Sequence, residues 1–237
     1  MTQIKEIDYT KVFVVIPAFN EEQSIGKVIH DIPNVPRKNI TVVNNGSTDS
    51  TQKVAEESGA TVLSEARKGY GWACLKGCEY VAKMKGETIV FLDGDYSDYP
   101  DQLPSVIAPI YEQNMDLVIG SRVLGSREKG SMTIPQSFGN WLSSKLLFLF
   151  YGVNYTDLGP FRAIRFESYK SLSMSDKTYG WTIEMQIKAA QKKMNYCEVP
   201  VDYKVRIGQS KVSGTIKGAV MAGIKIIFAV FKYKFTK

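Results

Sequence analysis

The sequence has few of the residues on which many metal and redox sites depend. Among its 237 residues there are one histidine, His30, and three cysteines. Cys74 and Cys78 lie four residues apart on a predicted helix. With a single histidine in the chain, we interpret them as packing residues rather than zinc ligands. Three cysteines also provide no disulfide framework, which is typical of a reduced, cytoplasmic protein.

Long hydrophobic runs are missing too. No segment reaches the roughly 18 consecutive apolar residues that a membrane-spanning helix needs, and the polar, charged N-terminus lacks the pattern of a secretory signal. We therefore predict a cytoplasmic location. The net charge of +6 favours anionic partners such as phosphates or an acidic membrane surface. Nucleic acid is not an expected partner, because the basic residues of the second half form no nucleic-acid-binding motif.

Short apolar segments alternate with helical patterns through the first half of the chain. Strands are predicted over residues 12–16, 40–43, 60–63, 88–92 and 116–119, with helices that end near residues 31, 58, 84 and 113. Asn20 with Gln23, and Asp49 with Gln52, are predicted to cap the first two helices. This alternation is typical of an α/β fold, a mostly parallel sheet with helices on both faces. No repeat or linker divides the chain, so we predict a single domain.

The most informative segment is Asp93-Gly94-Asp95, directly after the apolar run 88–92. Open α/β sheets bind ligands at the carboxyl ends of their strands. Two carboxylates one residue apart there can hold a divalent cation such as Mg²⁺ or Mn²⁺ together with substrate phosphates. The alternative is a polar turn that leads to Asp98, which would cap the next helix.

Polar residues also end the first two predicted strands. Asn20-Glu21 follows the first strand, and Asn44-Asn45-Gly46-Ser47 follows the second. The carboxyl ends of parallel strands lie along one edge of a sheet, where they form a nucleotide crevice. Each of these segments is also a turn or a cap in its own right, and the number of them at one edge favours a site.

Several motifs together resemble one known family, the GT-A (Rossmann-like) domain of family 2 inverting glycosyltransferases. In the first half they are Val15–Glu22, Val42–Asp49, Asp93–Asp95 and Gly120–Arg122. In the second half, the motifs that resemble dolichyl- and polyprenyl-phosphate sugar synthases are Asp157–Arg162, Gly180–Met185 and Arg206–Lys211. The resemblance runs from about residue 12 to about residue 228. It implies a metal-dependent hexosyltransferase that uses a nucleotide diphosphate sugar, UDP- or GDP-linked, and a polyprenyl or dolichyl phosphate acceptor.

The resemblance also implies roles for individual residues. The nucleotide-sugar pocket would contain Pro17, Phe19, Asn20, Glu21, Asn45, Ser47 and Asp93. The metal, Mg²⁺ or Mn²⁺, would be held by Asp93 and Asp95. Catalysis would involve Asp93, Asp95, Arg122, Asp157, Glu184 and Arg206. The donor and acceptor phosphates would be contacted by Arg122, Arg127, Arg206 and Lys211.

Two positions depart from the family's usual pattern. The family usually has at least one aspartate where this chain has Asn44-Asn45, and that acid contacts the base or ribose. Asparagine donates as well as accepts hydrogen bonds, so the base preference can differ and the donor stays open. Ser97 stands where lipid-phosphate members carry a side chain that reaches the metal, and it is a poorer ligand.

The chemistry of the acceptor separates two enzymatic alternatives. A phosphate monoester is already anionic and needs only positioning and charge screening. A hydroxyl acceptor on a glycan needs a general base, for which Asp157 and Glu184 are the candidates. Glu184 has a second interpretation, because a carboxylate at a helix start complements the helix dipole. A noncatalytic nucleotide-sugar-binding protein is a third alternative, which the Asp93 and Asp95 carboxylates disfavour.

Residues 213–237 have a helical pattern in which lysines flank an apolar stripe. This is typical of a helix at the surface of an anionic membrane, and also of a helix that closes the protein's own core. The apolar helix around residues 140–151 is a second candidate for contact with lipid. We predict a GT-A domain over 1–212 followed by this amphipathic helix, which would place the protein peripherally at the cytoplasmic face of a membrane.

Overall fold

The structure is a computed structural model and describes residues 6–208 and 227–235. The strands of its sheet are β1 Val12–Ala18, β2 Ile40–Asn44, β3 Thr61–Ser64, β4 Thr88–Phe91, β5 Leu117–Ser121, β6 Arg162–Arg165 and β7 Tyr196–Pro200. The helices are α1 Ile25–Asp31, α2 Thr51–Glu57, α3 Tyr70–Lys83, α4 Leu103–Glu112, α5 Ile134–Tyr151, α6 Phe166–Leu172 and α7 Trp181–Gln191. Residues 227–235 are also helical.

The seven strands lie in the order β3-β2-β1-β4-β6-β5-β7. β1 pairs in parallel with β2 and β4, β2 with β3, and β5 with β7. Among the described strands, β6 alone runs antiparallel to its neighbours, β4 and β5. This mostly parallel sheet confirms the predicted α/β fold, and all five strands expected in the first half are present.

The strands form because their side chains are apolar on both faces. Val12, Val14 and Ile16 of β1 pack into the core on one side of the sheet, while Phe13 and Val15 pack into the core on the other. None of these five side chains is more than 2% exposed. Side chains alternate between the faces of a strand, so an unbroken apolar run indicates a strand that is covered on both sides.

The predicted capping box of Asn20 and Gln23 is wrong. α1 begins after the N-cap Ser24, and Asn20 has a left-handed backbone with φ of 55°. Its Oδ1 accepts a hydrogen bond from the amide of Thr48, in the loop after β2. Asn20 therefore ties together the loops of two neighbouring strands, because the left-handed conformation, which asparagine tolerates, directs its side chain across to that loop.

The helical segment 227–235 packs against the end of α5. The hydroxyl of Tyr151 donates to the carbonyl oxygen of Val230, which is fully buried. The rings of Phe150 and Phe231 lie 5.1 Å apart between centres. Most of the predicted C-terminal helix, residues 213–226 and 236–237, lies outside the described residues. Within the described ranges, no helix combines the length and the apolar character needed to cross a bilayer.

Candidate active site

The carboxyl ends of β1, β2 and β4 meet at one edge of the sheet, around a cleft of about 290 Å³. The residues of its lining that the sequence placed in the site are Pro17, Phe19, Glu21, Asn45, Asp93, Asp95 and Arg206. The lining also includes Lys68, Gly69, Tyr70 and Tyr179, which the sequence did not predict. Because open α/β sheets bind ligands at this edge, the cleft is the candidate active site.

Asp93 and Asp95 follow β4, and each carboxylate is oriented by a different neighbour. The hydroxyl of Tyr70 donates to Asp93 Oδ1 at 3.1 Å. Asp95 Oδ1 accepts hydrogen bonds from the amide and the hydroxyl of Ser97, at 3.0 and 2.6 Å. Burial and the negative charge of Asp95 raise the pKa of Asp93 to about 7. The pKa rises because burial and a neighbouring negative charge both disfavour the ionised carboxylate.

The two carboxylates fit a divalent cation. A bound cation would offset the repulsion by Asp95 that, after burial, raises the pKa of Asp93. Within residues 6–208 and 227–235, no cluster of three or more histidine, cysteine, aspartate or glutamate side chains is arranged to hold a metal. Mg²⁺ is usually bound through one or two carboxylates, with waters and substrate phosphates in its other positions. A pair of carboxylates is therefore sufficient for a cation that binds together with a diphosphate.

Protonation of Asp93 gives cation binding an expected pH dependence. A cation needs the ionised carboxylate, and Asp93, with a pKa of about 7, is protonated below that pH. We expect the affinity for Mn²⁺ to rise about tenfold per pH unit up to a pH near 7 and then to level off. Electron paramagnetic resonance of Mn²⁺ across this range measures the profile. Asp93→Asn, which has no proton to lose there, is the control, and a flat wild-type profile would contradict the prediction.

Asn45 holds one wall of the cleft in place. Its Nδ2 donates to the carbonyl oxygens of Glu65 and Arg67, at 2.9 and 2.8 Å, and its Oδ1 accepts from the amide of Gly69 at 2.8 Å. The side chain thus ties the loop after β2 to the segment 65–69 that leads into α3. Both of its side-chain hydrogens go to the protein backbone, which a carboxylate at this position cannot reproduce.

Asn45→Asp is therefore expected to weaken nucleotide binding by roughly tenfold, although it introduces the acid that the family usually has. The new carboxylate would face two carbonyl oxygens with no hydrogen to donate. Isothermal titration with UDP and with GDP checks the effect. Asn44→Asp is the control, because Asn44 Oδ1 accepts a hydrogen bond from the amide of Ser47, which a carboxylate can also accept, and its Nδ2 donates to the side chain of Gln52 rather than to the backbone. Tighter binding of either nucleotide by Asn45→Asp would contradict the prediction.

Charged and aromatic side chains of the segment 65–72, together with Lys177, support this wall. Arg67 donates to both oxygens of the buried Glu65, at 2.8 and 2.7 Å, and these hydrogen bonds lower the pKa of Glu65 to about 2. The guanidinium of Arg67 lies 3.6 Å from the ring centre of Trp72, and Lys177 Nζ lies 4.4 Å from the same ring. The signal that could have revealed this wall is the basic pair Arg67-Lys68 followed by Gly69 at a helix start.

Arg122 and Asp157 form a buried ion pair. Nε and Nη2 of Arg122 donate to the two oxygens of Asp157 at 2.8 and 2.7 Å, and the amide of Arg122 adds a third hydrogen bond at 2.8 Å. Burial opposes the ionisation of Asp157, but the charge and hydrogen bonds of Arg122 outweigh it and hold its pKa below the usual value. Asp157 is therefore a poor proton acceptor. Burial and Asp95 raise the pKa of Asp93, and the positive charge of Arg122 offsets a part of that rise.

Glu184 lies behind the cleft wall and does not line the cleft. It is fully buried in the first turn of α7. One oxygen accepts from the amide of Ser175 and the ammonium of Lys188, at 2.9 and 2.8 Å, and the other accepts from the amide of Asp176 at 2.7 Å. Burial opposes ionisation, but these hydrogen bonds, led by that of Lys188, keep the pKa of Glu184 below its usual value. The segment that Glu184 holds leads to Tyr179, which does line the cleft.

The other residues that the sequence placed in the site, which are Asn20, Ser47, Arg127 and Lys211, do not line the cleft or lie outside the described residues. The amide of Asn20 donates to Ser47 Oγ at 3.0 Å, next to Glu21. Arg127 is exposed, and its Nη1 lies 3.6 Å from the sulfur of Met132. Lys211 lies outside the described residues.

The alternative interpretation, in which Asp98 caps the next helix, is wrong. α4 begins at Leu103 after the N-cap Gln102. The backbone of Asp98 pairs with Tyr203 in an isolated bridge, and its side chain is only 2% exposed. Neither carboxyl oxygen makes a hydrogen bond within the described residues. Burial raises the pKa of Asp98 well above the usual value, because ionisation there would leave an unpaired buried charge.

Comparison with known proteins identifies the family. The family model of glycosyl transferase family 2 matches residues 13–173, which include strands β2 to β6, nearly all of β1 and the paired carboxylates at the cleft. The chain belongs to glycosyl transferase family 2. This family 2 glycosyltransferase is 29% identical over 247 residues to the UDP-N-acetylglucosamine–dolichyl-phosphate N-acetylglucosaminyltransferase of Methanococcus voltae, across 95% of this chain and 97% of the relative. It is 27% identical over 226 residues to the undecaprenyl-phosphate mannosyltransferase of Micrococcus luteus, across 90% and 92% of the two chains.

A solved structure confirms the GT-A fold of this family 2 glycosyltransferase. Glucosyl-3-phosphoglycerate synthase from Mycobacterium tuberculosis, in complex with Mn²⁺, uridine diphosphate and phosphoglyceric acid, matches it with a TM-score of 0.74. The match covers 96% of this chain and 80% of the synthase, at 23% sequence identity. The likeness therefore concerns the fold.

Proposed function

We propose that this glycosyltransferase transfers a hexose, with inversion, from a UDP- or GDP-linked sugar to a polyprenyl or dolichyl phosphate. The choice of a phosphate acceptor rests on the hydrogen bonds and ion pairs of the two candidate bases, Asp157 and Glu184. Both carboxylate oxygens of Asp157 accept hydrogen bonds from Arg122. The carboxylate of Glu184 is bound by backbone amides and by Lys188. Neither is free to take a proton from a hydroxyl, and a phosphate acceptor needs no such base. Two of the relatives, from Methanococcus voltae and Micrococcus luteus, are named for transfer to dolichyl phosphate and undecaprenyl phosphate.

Five residues that line the cleft, and Arg122 outside its lining, then have parts in the reaction. Pro17 and Phe19 enclose the nucleotide, and Asp93 and Asp95 bind Mg²⁺ or Mn²⁺. The bound cation supplies Lewis-acid stabilisation of the departing nucleotide diphosphate. Arg206 places a positive charge beside the diphosphate, and Arg122, held rigid by Asp157, binds the acceptor phosphate and aligns its oxygen with the anomeric carbon.

The test is sugar transfer from a panel of radiolabelled UDP- and GDP-sugars, with Mg²⁺ or Mn²⁺, to a short polyprenyl phosphate. Label in the organic phase with one donor, lost when the metal is chelated, is the expected result. The matched control acceptor is the corresponding polyprenol, which offers a hydroxyl in place of the phosphate. Transfer to the polyprenol, or metal-dependent donor hydrolysis with no labelled lipid, would replace the phosphate acceptor with a hydroxyl.

An exposed apolar stripe on α5 supports a peripheral position at the cytoplasmic face of a membrane. Ile134, Phe138, Trp141 and Phe148 follow one another at the three-, four- and seven-residue spacings of a single helix face. Their exposed fractions run from 53% to 87%. The exposed Lys145 lies on the same face, so the stripe combines apolar contact with attraction to anionic lipid.

Phe138→Ser combined with Trp141→Ser is expected to reduce binding to anionic phospholipid vesicles about tenfold or more, because it removes two exposed aromatic anchors. Sedimentation with sucrose-loaded vesicles measures the bound fraction. Met84→Ser is the control, since Met84 is 47% exposed and lies at the end of α3 rather than on the stripe. Equal vesicle binding by wild type and the double variant would show that α5 is not the membrane contact.

A further inference from the structure

We propose that Arg206 and the divalent cation compete for the same oxygen of Asp95, so that the guanidinium leaves Asp95 when the cation binds. Nη2 of Arg206 lies 2.9 Å from Asp95 Oδ2 and 3.4 Å from Glu21 Oε1. The guanidinium is thus the cation that neutralises Asp95 before any metal arrives. This inference rests on the proposed use of Asp95 as a metal ligand.

Only one oxygen of Asp95, Oδ2, would be available to a cation in the cleft. Oδ1 already accepts two hydrogen bonds from Ser97, which leaves Oδ2 for a metal, and Arg206 is bound there. The side chains of Asp95 and Glu21 are only 7% and 9% exposed. Two positive charges at one poorly hydrated oxygen repel each other strongly, so the metal and the guanidinium bind in turn.

Backbone hydrogen bonds hold the segment that places Arg206 beside Asp95. The amide of Lys204 donates to the carbonyl oxygen of Ser97 at 2.9 Å, and the amide of Ile207 donates to that of Asp95 at 3.0 Å. The segment 203–207 is thereby fastened along the loop that carries Asp95. Because both anchors are backbone hydrogen bonds, the guanidinium can leave Asp95 by rotation of its own side chain while the segment stays in place.

The guanidinium is incompletely satisfied where it lies. Its Nε is buried and has no hydrogen-bond partner within the described residues, an arrangement that is unfavourable for a buried donor. A diphosphate in the cleft, which Arg206 lines, supplies the acceptors that this donor lacks. A metal alone must displace Arg206 with no new partner to receive it, whereas a metal that arrives with a nucleotide diphosphate provides one. Metal and nucleotide therefore bind cooperatively through Arg206, and the coupling is reciprocal.

Mn²⁺ binding to wild type and to Arg206→Gln, with and without UDP or GDP, tests the proposal. We expect Arg206→Gln to bind Mn²⁺ alone about tenfold more tightly than wild type, and to lose most of the increase in affinity that the nucleotide gives wild type. The gain is expected to persist at high ionic strength, where separated charges are screened but direct contacts are not. An Arg206→Gln variant that binds Mn²⁺ no more tightly than wild type, in the absence of nucleotide, would overturn the proposal.

Lys204→Gln is the matched control. It removes the same charge from the same segment, but Lys204 Nζ lies 3.3 Å from the ring centre of Tyr96 and does not pair with Asp95 in the structure. Its Mn²⁺ affinity is expected to stay within about twofold of wild type, and a gain equal to that of Arg206→Gln would reduce the effect to net charge and overturn direct competition. These readouts involve no acceptor, so a failure of lipid transfer alone leaves them intact. Absence of Mn²⁺ binding in every variant, with nucleotide present, would remove the metal site of the proposed function itself.

Discussion

Asp93→Asn is expected to lower sugar transfer by on the order of a thousandfold while leaving the protein at least as stable as wild type. A metal that screens the departing diphosphate contributes several kcal/mol to the transition state, and an amide is a weak ligand for it. Stability is not expected to fall with activity, because burial and Asp95 raise the pKa of Asp93 to about 7. In wild type, ionisation of Asp93 therefore costs folding free energy as the pH rises from its unfolded-state pKa towards 7.

The stability gain of Asp93→Asn is expected to depend on pH. Below the unfolded-state pKa the carboxyl is protonated in both states, and the variant gains little. Above pH 7 the carboxylate is ionised in the folded protein and the gain is complete. Urea unfolding at about pH 5 and about pH 8, beside the transfer assay, measures both effects. Asp101→Asn, at an exposed position of the same loop, is expected to change neither. A folded Asp93→Asn enzyme with near-wild-type transfer would exclude Asp93 from the reaction.

Asp157→Asn is expected to lower the free energy of unfolding by about 3–5 kcal/mol, the usual cost of removing one partner from a buried ion pair. Asp157 is fully buried and receives three hydrogen bonds from Arg122, whose side chain is 12% exposed. The asparagine keeps one acceptor oxygen but removes the charge, so the guanidinium stays buried without a counter-ion. Urea denaturation measures the loss.

An exposed ion pair on the same protein provides the control for Asp157→Asn. Glu167 and Lys170 lie 2.7 Å apart, with side chains 81% and 52% exposed. Glu167→Gln is expected to change stability by less than about 0.5 kcal/mol, because water screens the pair. A loss below about 1 kcal/mol for Asp157→Asn would mean that the Arg122 pair is not the buried anchor described above.

The first half of the fold could be predicted because its strands are covered on both faces. Such strands must be apolar throughout, and the polar residues that follow them mark the carboxyl edge of the sheet, which is why Asp93, Asp95 and Asn45 were expected near one another. The short strand β6 escaped prediction because its sequence, Arg162-Ala-Ile-Arg165, begins and ends in arginine. The buried guanidinium of Arg162 is satisfied by the carbonyl oxygens of Leu158, Gly159 and Thr182, which no local pattern reveals.

The parts of the candidate site that escaped prediction depend on contacts between distant segments. Tyr70 reaches Asp93 from the start of α3, and Tyr179 enters the cleft lining from a segment that Glu184 holds from behind. The motif assignment of Glu184 as a catalytic residue could not separate contact with the substrate from support of the wall. Its hydrogen bonds to the amides of Ser175 and Asp176 favour support of the wall.

The antiparallel strand β6 fixes the distance between the strands that carry Asp93 and Arg122. Because β6 runs against both β4 and β5, those two strands point the same way, so Asp93 and Arg122 emerge from the same edge. Neighbouring strands are about 4.8 Å apart, which separates β4 from β5 by about 10 Å. Backbone hydrogen bonds between the strands hold this spacing, and most side-chain substitutions leave them intact. Substitutions in α5 and in the segment 203–208 therefore leave the spacing between the strands that carry Asp93 and Arg122 in place.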